Sequence, residues 1–488
     1  MPRLLLILLA LAASNAMAGP YIPAGDLALR HDIQRLAAAG VIHGPVSTWP
    51  MAWGPVLKDL DAADAARLSQ DIVDAIARIK QRANWETRTG EPTYRAKLGV
   101  ADNATRIRSF SSTPRGRAEA GVGLQWTGAQ LSADLNVQYV DSASDDEDFR
   151  MDGSFLGVAL GNWSIAASTQ ERWWGPGWDG SIILSNNARP IPSLVIDRIF
   201  TDAFETRWLK WLGTWDLSVM FGQLEEDRVV PDARFFGMRF SFRPLSTLEI
   251  GLSRTAQWCG DGRPCGLSTF ADLVLGNDNR GGGGIDLSNE PGNQLGGFDV
   301  RWTPGFLRHR VGIYAQAIGE DEAGGFPSRY LGQVGVDWSG YLFHRWSTRA
   351  FLEYSGTACQ FHESDKIYNC GYNHNIYETG YRYRGNSIGH GADNDAEMTS
   401  AGIVMIDADD TQWRALVRSG ALNNGGAPDS RNILTTTPQD ISSIDIVHSR
   451  AFSFGVIELG VGLESIDDTV SASTTQDTRI YVQWRSSY

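Results

Sequence analysis

From Thr93 onward, apolar and polar residues alternate with a period of two, in one segment after another. In Leu131–Tyr139, residues Leu131, Ala133, Leu135, Val137 and Tyr139 share one face, and Ser132, Asp134, Asn136 and Gln138 share the other. Within Arg234–Arg243, Phe236, Met238, Phe240 and Phe242 oppose Gly237, Arg239, Ser241 and Arg243. In the last segment Ile480, Val482 and Trp484 oppose Arg479, Tyr481, Gln483 and Arg485. Side chains alternate across a strand, so each strand has two different surroundings. The second face is repeatedly charged, and no apolar run marks a strand buried on both sides. Apolar toward lipid and polar toward a lumen is the pattern of an all-β transmembrane barrel.

The connections sharpen this reading. Strands are expected near 93–101, 117–126, 129–140, 153–161, 163–171, 194–201, 215–224, 233–243, 247–258, 295–303, 308–318, 329–338, 347–356, 399–408, 411–418, 441–449, 452–464 and 477–488, eighteen in all. An even count puts both termini on the periplasmic side. The short links Thr127-Gly128, Asn162, Pro244–Ser246, Pro304–Leu307 and Asp409-Asp410 then fall inside. The long ones, 102–116, 141–152, 172–193, 259–294, 357–398 and 419–440, fall outside. Ile376–Arg384 also alternates, but counting it breaks the parity, so it belongs to an outer loop. The Trp-rich connection 202–214 is long for a periplasmic turn and suits a short interfacial helix. Tyr488 ends the last strand, as an aromatic residue does in the recognition signal of outer-membrane barrels. Frequent glycine (53) and tryptophan (17) fit such strands and their aromatic girdles.

Ahead of the barrel the period is helical. Arg3, the apolar run Leu4–Ala13 and Ala16-Met17-Ala18 read as a signal peptide over 1–18. Residues 19–90 read as a periplasmic helical domain. Leu27, Leu29, Ile33, Leu36 and Val41 follow helix spacing from Asp26, with Gly40 as the stop. A second helix opens at Trp53-Gly54-Pro55, and a third spans Ala65–Arg82 with Leu68, Ile72, Ala75, Ile76 and Ile79 in one stripe. A bundle this small needs a partner surface, and the mouth of the barrel (91–488) supplies one.

A net charge of −14 argues against nucleic acid, which requires a basic face. Four cysteines in an exported chain favour disulfides. Of three possible pairings, the local one is expected: Cys259 with Cys265 and Cys359 with Cys370, one bridge in each of two outer loops. No His or Cys cluster has metal-ligand spacing, and no cofactor is expected.

One outer segment stands apart: Glu171-Arg172-Trp173-Trp174-Gly175-Pro176-Gly177-Trp178-Asp179-Gly180, continuing to Ser185-Asn186-Asn187-Ala188-Arg189-Pro190. Tryptophan faces stack on the C–H faces of sugars, and Asp, Asn and Arg offer fixed hydrogen bonds to hydroxyls and carboxylates. The segment thus reads as a glycan contact or a constriction. It reads equally as a Gly/Pro-shaped plug with Trp as packing. Tyr381-Arg382-Tyr383-Arg384 suits an acidic polysaccharide, and suits a twisted hairpin with cation–π pairs. Asp141–Asp148 reads as a solvated acidic run, and Gly281–Gly284 as a flexible one. Glu171 and Asp179 fix no glycosidase separation, His362-Glu363 lacks the second His of a zinc protease, and no nucleophile elbow occurs. An enzyme is not expected.

The Trp173–Gly180 block with Ser185–Pro190, the helical start Leu29–Ile42, the Cys259–Cys265 pair and Gly380–Gly385 together resemble the capsule-assembly Wzi family over nearly the whole mature chain. The resemblance implies an eighteen-stranded outer-membrane barrel with a periplasmic helical bundle as its plug. It also implies a non-enzymatic, lectin-like role in holding capsular or extracellular polysaccharide at the surface. Polysaccharide export machinery is a further candidate partner beside outer-membrane lipid, and a monomer is the default state. Candidate polysaccharide contacts are Trp173, Trp174, Trp178, Asp179, Asn186, Asn187, Arg189, Tyr381, Arg382, Tyr383 and Arg384. The competing reading is a channel for sugars or other small polar solutes, lined by Arg239, Arg243, Arg310 and Gln316.

Overall fold

The computed structural model describes residues 19–143, 145, 147–275, 292–308, 310–323, 326–343, 345–425 and 431–486. The signal-peptide segment, the Gly281–Gly284 run and Tyr488 lie outside these residues. The described chain forms a closed antiparallel barrel. Its strands are β1 (Thr93–Ala101), β2 (Ala118–Thr127), β3 (Leu131–Asp141), β4 (Phe155–Leu160), β5 (Trp163–Ser168) and β6 (Ser193–Arg198). There follow β7 (Thr214–Gln223), β8 (Arg234–Leu245), β9 (Leu248–Trp258), β10 (Gly292–Trp302), β11 (Val311–Ala323) and β12 (Phe326–Leu342). The last are β13 (Trp346–Gly356), β14 (Glu397–Ile406), β15 (Gln412–Leu422), β16 (Gln439–Phe452), β17 (Gly455–Asp468) and β18 (Ser473–Arg485). Each pairs with its sequence neighbour, and β18 closes onto β1 from Tyr481↔Ala101 to Arg485↔Lys97. A two-residue piece, Phe149–Arg150, extends the edge of β3. The eighteen strands are those the alternation predicts. Ile376–Arg384 contributes only Arg382–Tyr383, paired with Asn386–Ser387 apart from the wall.

The alternation sorts as lipid and lumen require. Leu131, Leu135, Val137 and Tyr139 of β3 are exposed on the outside, while Ser132 and Asp134 are buried within. Ile480 and Val482 of β18 face out, and Tyr481 and Gln483 face in. An apolar residue facing hydrocarbon loses nothing there, whereas an outward charge would cost about 2–4 kcal/mol at the midplane. In the connection between β6 and β7, Lys210–Leu212 forms a single helical turn. Trp208 and Trp211 stand exposed there, as interfacial residues do.

Three helices precede the wall: α1 (Leu27–Ala38), α2 (Trp53–Ala62) and α3 (Gln70–Glu86). Asp26 caps α1 by accepting from the Leu29 amide at 3.0 Å. Gly40, at φ 78°, takes the left-handed position just past its end. The third predicted helix splits into a single turn at Ala65–Arg67 and α3, whose Ile72, Ala75, Ile79 and Ala83 bury their stripe. The bundle goes further than the mouth. Ala28 packs against Val404 and Ile406 of β14, so α1 lies inside the cylinder. It can do so because the inner wall offers polar partners for its polar side chains. A fourth helix, α4 (Leu267–Leu275), packs Phe270 against Phe221, Phe236 and Trp258 near the outer rim. Both disulfides form as expected, Cys259–Cys265 and Cys359–Cys370.

Candidate functional site

The lumen is filled from both ends, and the filling is built on charges of the wall. Glu249 of β9 accepts from the amides of Val46 and Ser47 at 2.9–3.1 Å. Arg239 of β8 pairs with Asp299 and donates to Thr48 and Ser47, and Arg243 donates to the carbonyls of Ala37, Ile42 and Gly44. The segment after α1 is thereby pinned to the wall. Two of the pore-lining candidates, Arg239 and Arg243, are thus consumed by the insert. Gln316 is consumed as well, since it donates to the Trp174 carbonyl and accepts from the Ile182 amide. Arg310 is corrected: it sits exposed in the turn before β11, outside the lumen.

From the other end, the connection between β5 and β6 folds down to meet the insert. Trp173 and Trp174 pair as a short strand with Trp49 and Thr48. Trp173, Trp174 and Trp178 are all buried, and two of their faces have an occupant. The Arg30 guanidinium of α1 lies 4.5 Å from the Trp178 ring, 5.6 Å from Trp173 and 4.3 Å from Phe110. It also donates to the carbonyls of Pro176 and Gly177 at 3.0 and 2.7 Å. Burial pushes its pKa down to about 9, so it stays charged at neutral pH. The aromatic faces read as sugar platforms therefore hold a cation of the protein itself.

The polar members of the block are engaged in the same way. Asp179 is clamped by Arg418 of β15 at 2.6–3.1 Å and accepts from Ser400. The adjoining amides of Trp178, Asp179 and Gly180 all point at the Glu353 carboxylate, 2.8–3.2 Å away. Asn186 donates to the Phe110 carbonyl and Asn187 to that of Ser387. These side chains hold a plug together, because a buried polar group must find partners or pay for desolvation.

The loop between β13 and β14 covers this plug. Tyr372 and Tyr381 donate to the carbonyls of Ile182 and Ile183 at 2.5 and 2.7 Å. Arg382 is buried against Asp393, Asn373 and Asn394. His390, beneath the cover, is held at a pKa of about 4, chiefly by burial, with Arg418 opposing its charge and Asp179 favouring it.

The pattern ends at the rim. Arg384 keeps 26% of its side chain exposed, lies 5.5 Å over the Tyr383 ring and pairs with Glu147, which is 39% exposed. Arg189 reaches the same place from below, bound to Asp145, Glu147 and Asp152. The acidic run Asp141–Asp148 is thus not simply solvated: Asp145 and Glu147 sit on arginines. Of the eleven predicted contacts, Arg384 stands at solvent, with Arg189 and Tyr383 just behind it.

Sequence reasoning missed Arg30, Arg108 and Arg115. The last two, in the loop after β1, donate to the Asn186 carbonyl, and Arg115 also to those of Asn187 and Ala188. Nothing local in the sequence marks an arginine whose partners are carbonyls some seventy or more positions away. Tyr368 is exposed on the covering loop beside Lys366 and Asn369, in a stretch whose residue types mark only a polar loop. Among the described residues, the grouping nearest a metal site is Glu320 with Cys359 and Cys370. Both of its sulfurs are committed to a disulfide.

Residues 88–479 match the model of the family described as "Capsule assembly protein Wzi". The chain is 33% identical over 337 residues to a Klebsiella pneumoniae protein described as "Uncharacterized 55.8 kDa protein in cps region". That match takes in 68% of this chain and 64% of the relative, so it spans just under two thirds of the relative's length. Among solved structures, the fold is similar to that of the Escherichia coli Wzi protein, described as an outer-membrane protein of group 1 capsule assembly and a carbohydrate-binding β-barrel. The TM-score is 0.83 at 24% identity, covering 96% of this chain and all of the other.

Proposed function

The chain belongs to the Wzi family of capsule assembly proteins, and we propose that it binds capsular or extracellular polysaccharide at the outer surface of the outer membrane and helps to anchor it there. The observation that carries this reading is the filled lumen. A barrel whose inner charges are spent on its own chain is poorly suited to wide-pore transport, and its elaborated outer loops are left as the working surface. The solved relative, described as carbohydrate-binding, supports the same reading. In it the protein acts by binding, as a monomer, with the segment 19–90 entering the barrel from the periplasmic side, where its outward face is available to export machinery.

The contact is assigned to the rim. Arg384, partly exposed, carries the charge for an acidic sugar, and the exposed Tyr368 carries an aromatic face for its ring. The buried members of the sequence-derived set, Trp173, Trp174, Trp178, Asp179, Asn186, Asn187, Arg189, Tyr381, Arg382 and Tyr383, support that rim from below.

Clean deletion of the coding sequence tests the proposal. Normal polymer synthesis with a larger share released into the medium is the expected result. An unchanged ratio of cell-bound to released polymer would sink the anchoring reading. Complementation with Arg384→Ala, checked for a folded barrel by heat-modifiable migration, then asks whether the rim makes the contact.

A further inference from the structure

The filling of the lumen is uneven. Along β1–β3 a cavity of about 250 Å³ separates the wall from the plug. On the wall side, the inward positions of β2 are Glu119, Gly121, Gly123 and Gln125. With no side chain at the two glycines, Gln138 and Asn136 of β3 lie back across them. A carbon added at Gly121 would sit 3.1 Å from Gln138 Cγ, and one at Gly123 would sit 2.4 Å from Asn136 Oδ1. On the plug side, Pro23, Ala24 and Gly25 leave the space open between larger lining residues, Tyr21, Arg82, Arg108 and Arg115. Where the small residues of the two sides face each other, the crevice remains.

Its lining reaches toward both ends of the barrel. Glu86 of α3 and Arg485 of β18 border it at the periplasmic end, and Asp152 and Glu171 of the outer loops border it at the other. Along β3 alone it runs from Asp134 to Val140, roughly 20 Å of strand. Ion pairs stripe the wall: Arg95 with Asp134, and Lys97 with Glu119 at 2.6 Å. Inward-facing Lys97 and Arg95 nonetheless remain 31% and 23% exposed. Their partners Asp134 and Glu119 are only 9% and 4% exposed, so the wet groups in mid-barrel are the cations, with carboxylates set behind them. Cations that keep their water there line an aqueous path, not a packed core.

We propose that this crevice is a narrow water-filled conduit for small ions across an otherwise plugged barrel. Its alternating charges replace lost hydration for either sign, so it passes small cations and anions and excludes oligosaccharides. The proposal is independent of polysaccharide binding at the rim.

The test is single-channel recording of the full mature chain in a planar bilayer, with salt as the only permeant. A steady current far below that of an unplugged barrel of this strand number is expected, and Gln138→Trp should remove most of it. Leu135→Ala, on the lipid-facing side of β3, should leave it unchanged. Because all four native cysteines are in disulfides, Gln138→Cys adds a single thiol. A charged methanethiosulfonate reagent should reach it from either chamber and reduce the current. Folded protein with no current above the bare bilayer overturns the proposal. So does a current that neither Gln138→Trp nor the labelled Gln138→Cys alters.

Discussion

The barrel is closed by two fillings of different kinds. The periplasmic insert is a small fold of its own, with capped helices and a continuous apolar core that includes Leu29, Ile33, Leu36, Trp53, Ile72 and Ile79. The extracellular filling, from the β5–β6 and β13–β14 connections, contains no long helix or sheet. It is held by carboxylate–arginine clamps, tyrosine-to-carbonyl hydrogen bonds and the Cys359–Cys370 bridge. One filling is thus stabilised mostly by its own burial of apolar surface, and the other mostly by what the wall and neighbouring loops supply. Substitutions that strike polar partners should therefore damage the outer filling more than the inner.

The largest effect is expected at Asp179. Asp179→Ala leaves the buried Arg418 with only the longer 3.5 Å contact to Asp445, at a cost of up to about 3–5 kcal/mol. The outer filling should become sensitive to protease in whole cells, while the insert stays protected. Equal loss of protection in both would break the distinction. Next, Cys359→Ser with Cys370→Ser removes a short loop closure, at a cost of about 2–4 kcal/mol by chain-entropy reasoning. Hydrogen exchange should rise over 357–396 and stay flat over α1–α3. Arg30→Met cuts the joint between the two fillings and forfeits a desolvated cation–π contact worth about 2 kcal/mol. It should loosen both sides together, seen as a red shift and weakening of the tryptophan emission.

Acid should weaken both fillings, for one shared reason. His390 in the outer cover has a pKa of about 4, and His31 of α1 is pushed well below the usual imidazole range by burial, with Arg349, Arg78 and Arg35 adding to it. An unfolded histidine titrates near ~6.5. Between that value and about 4 the unfolded chain binds protons that folded His390 refuses, so stability falls as pH drops through this window and is complete above it. Thermal denaturation at pH 7.5 and at 4.5 checks this, and His390→Gln should flatten the outer part of the response. The smallest effect on stability belongs to Arg384→Ala, below about 1 kcal/mol for a partly exposed pair. A large loss of cell-bound polymer with an unchanged melting profile would separate contact from scaffold.

The wall was legible in the sequence because a single rule, one face to lipid and one to water, acts on every strand. Parity of the connections then kept Ile376–Arg384 out of the count. Boundaries drifted where no membrane enforces them: β12 runs over Phe326–Leu342 instead of 329–338, and β11 starts at Val311 instead of 308. Helix spacing and caps exposed α1–α3 in the same way. The fate of Trp173–Arg189 was not legible. Residue type announces that tryptophan wants a flat partner and aspartate a donor, but it does not say whether that partner is a sugar, Arg30 or Arg418. Only the folded wall, which brings positions hundreds of residues apart together, decides that.

The seam between β18 and β1 joins residues 481–485 to 97–101, partners separated by almost the entire wall. The helices precede both strands in the chain and end up inside the ring. The vessel and its contents are therefore one covalent chain, and the contact of Ala28 with Val404 and Ile406 ties the first segment to a stave far along the ring.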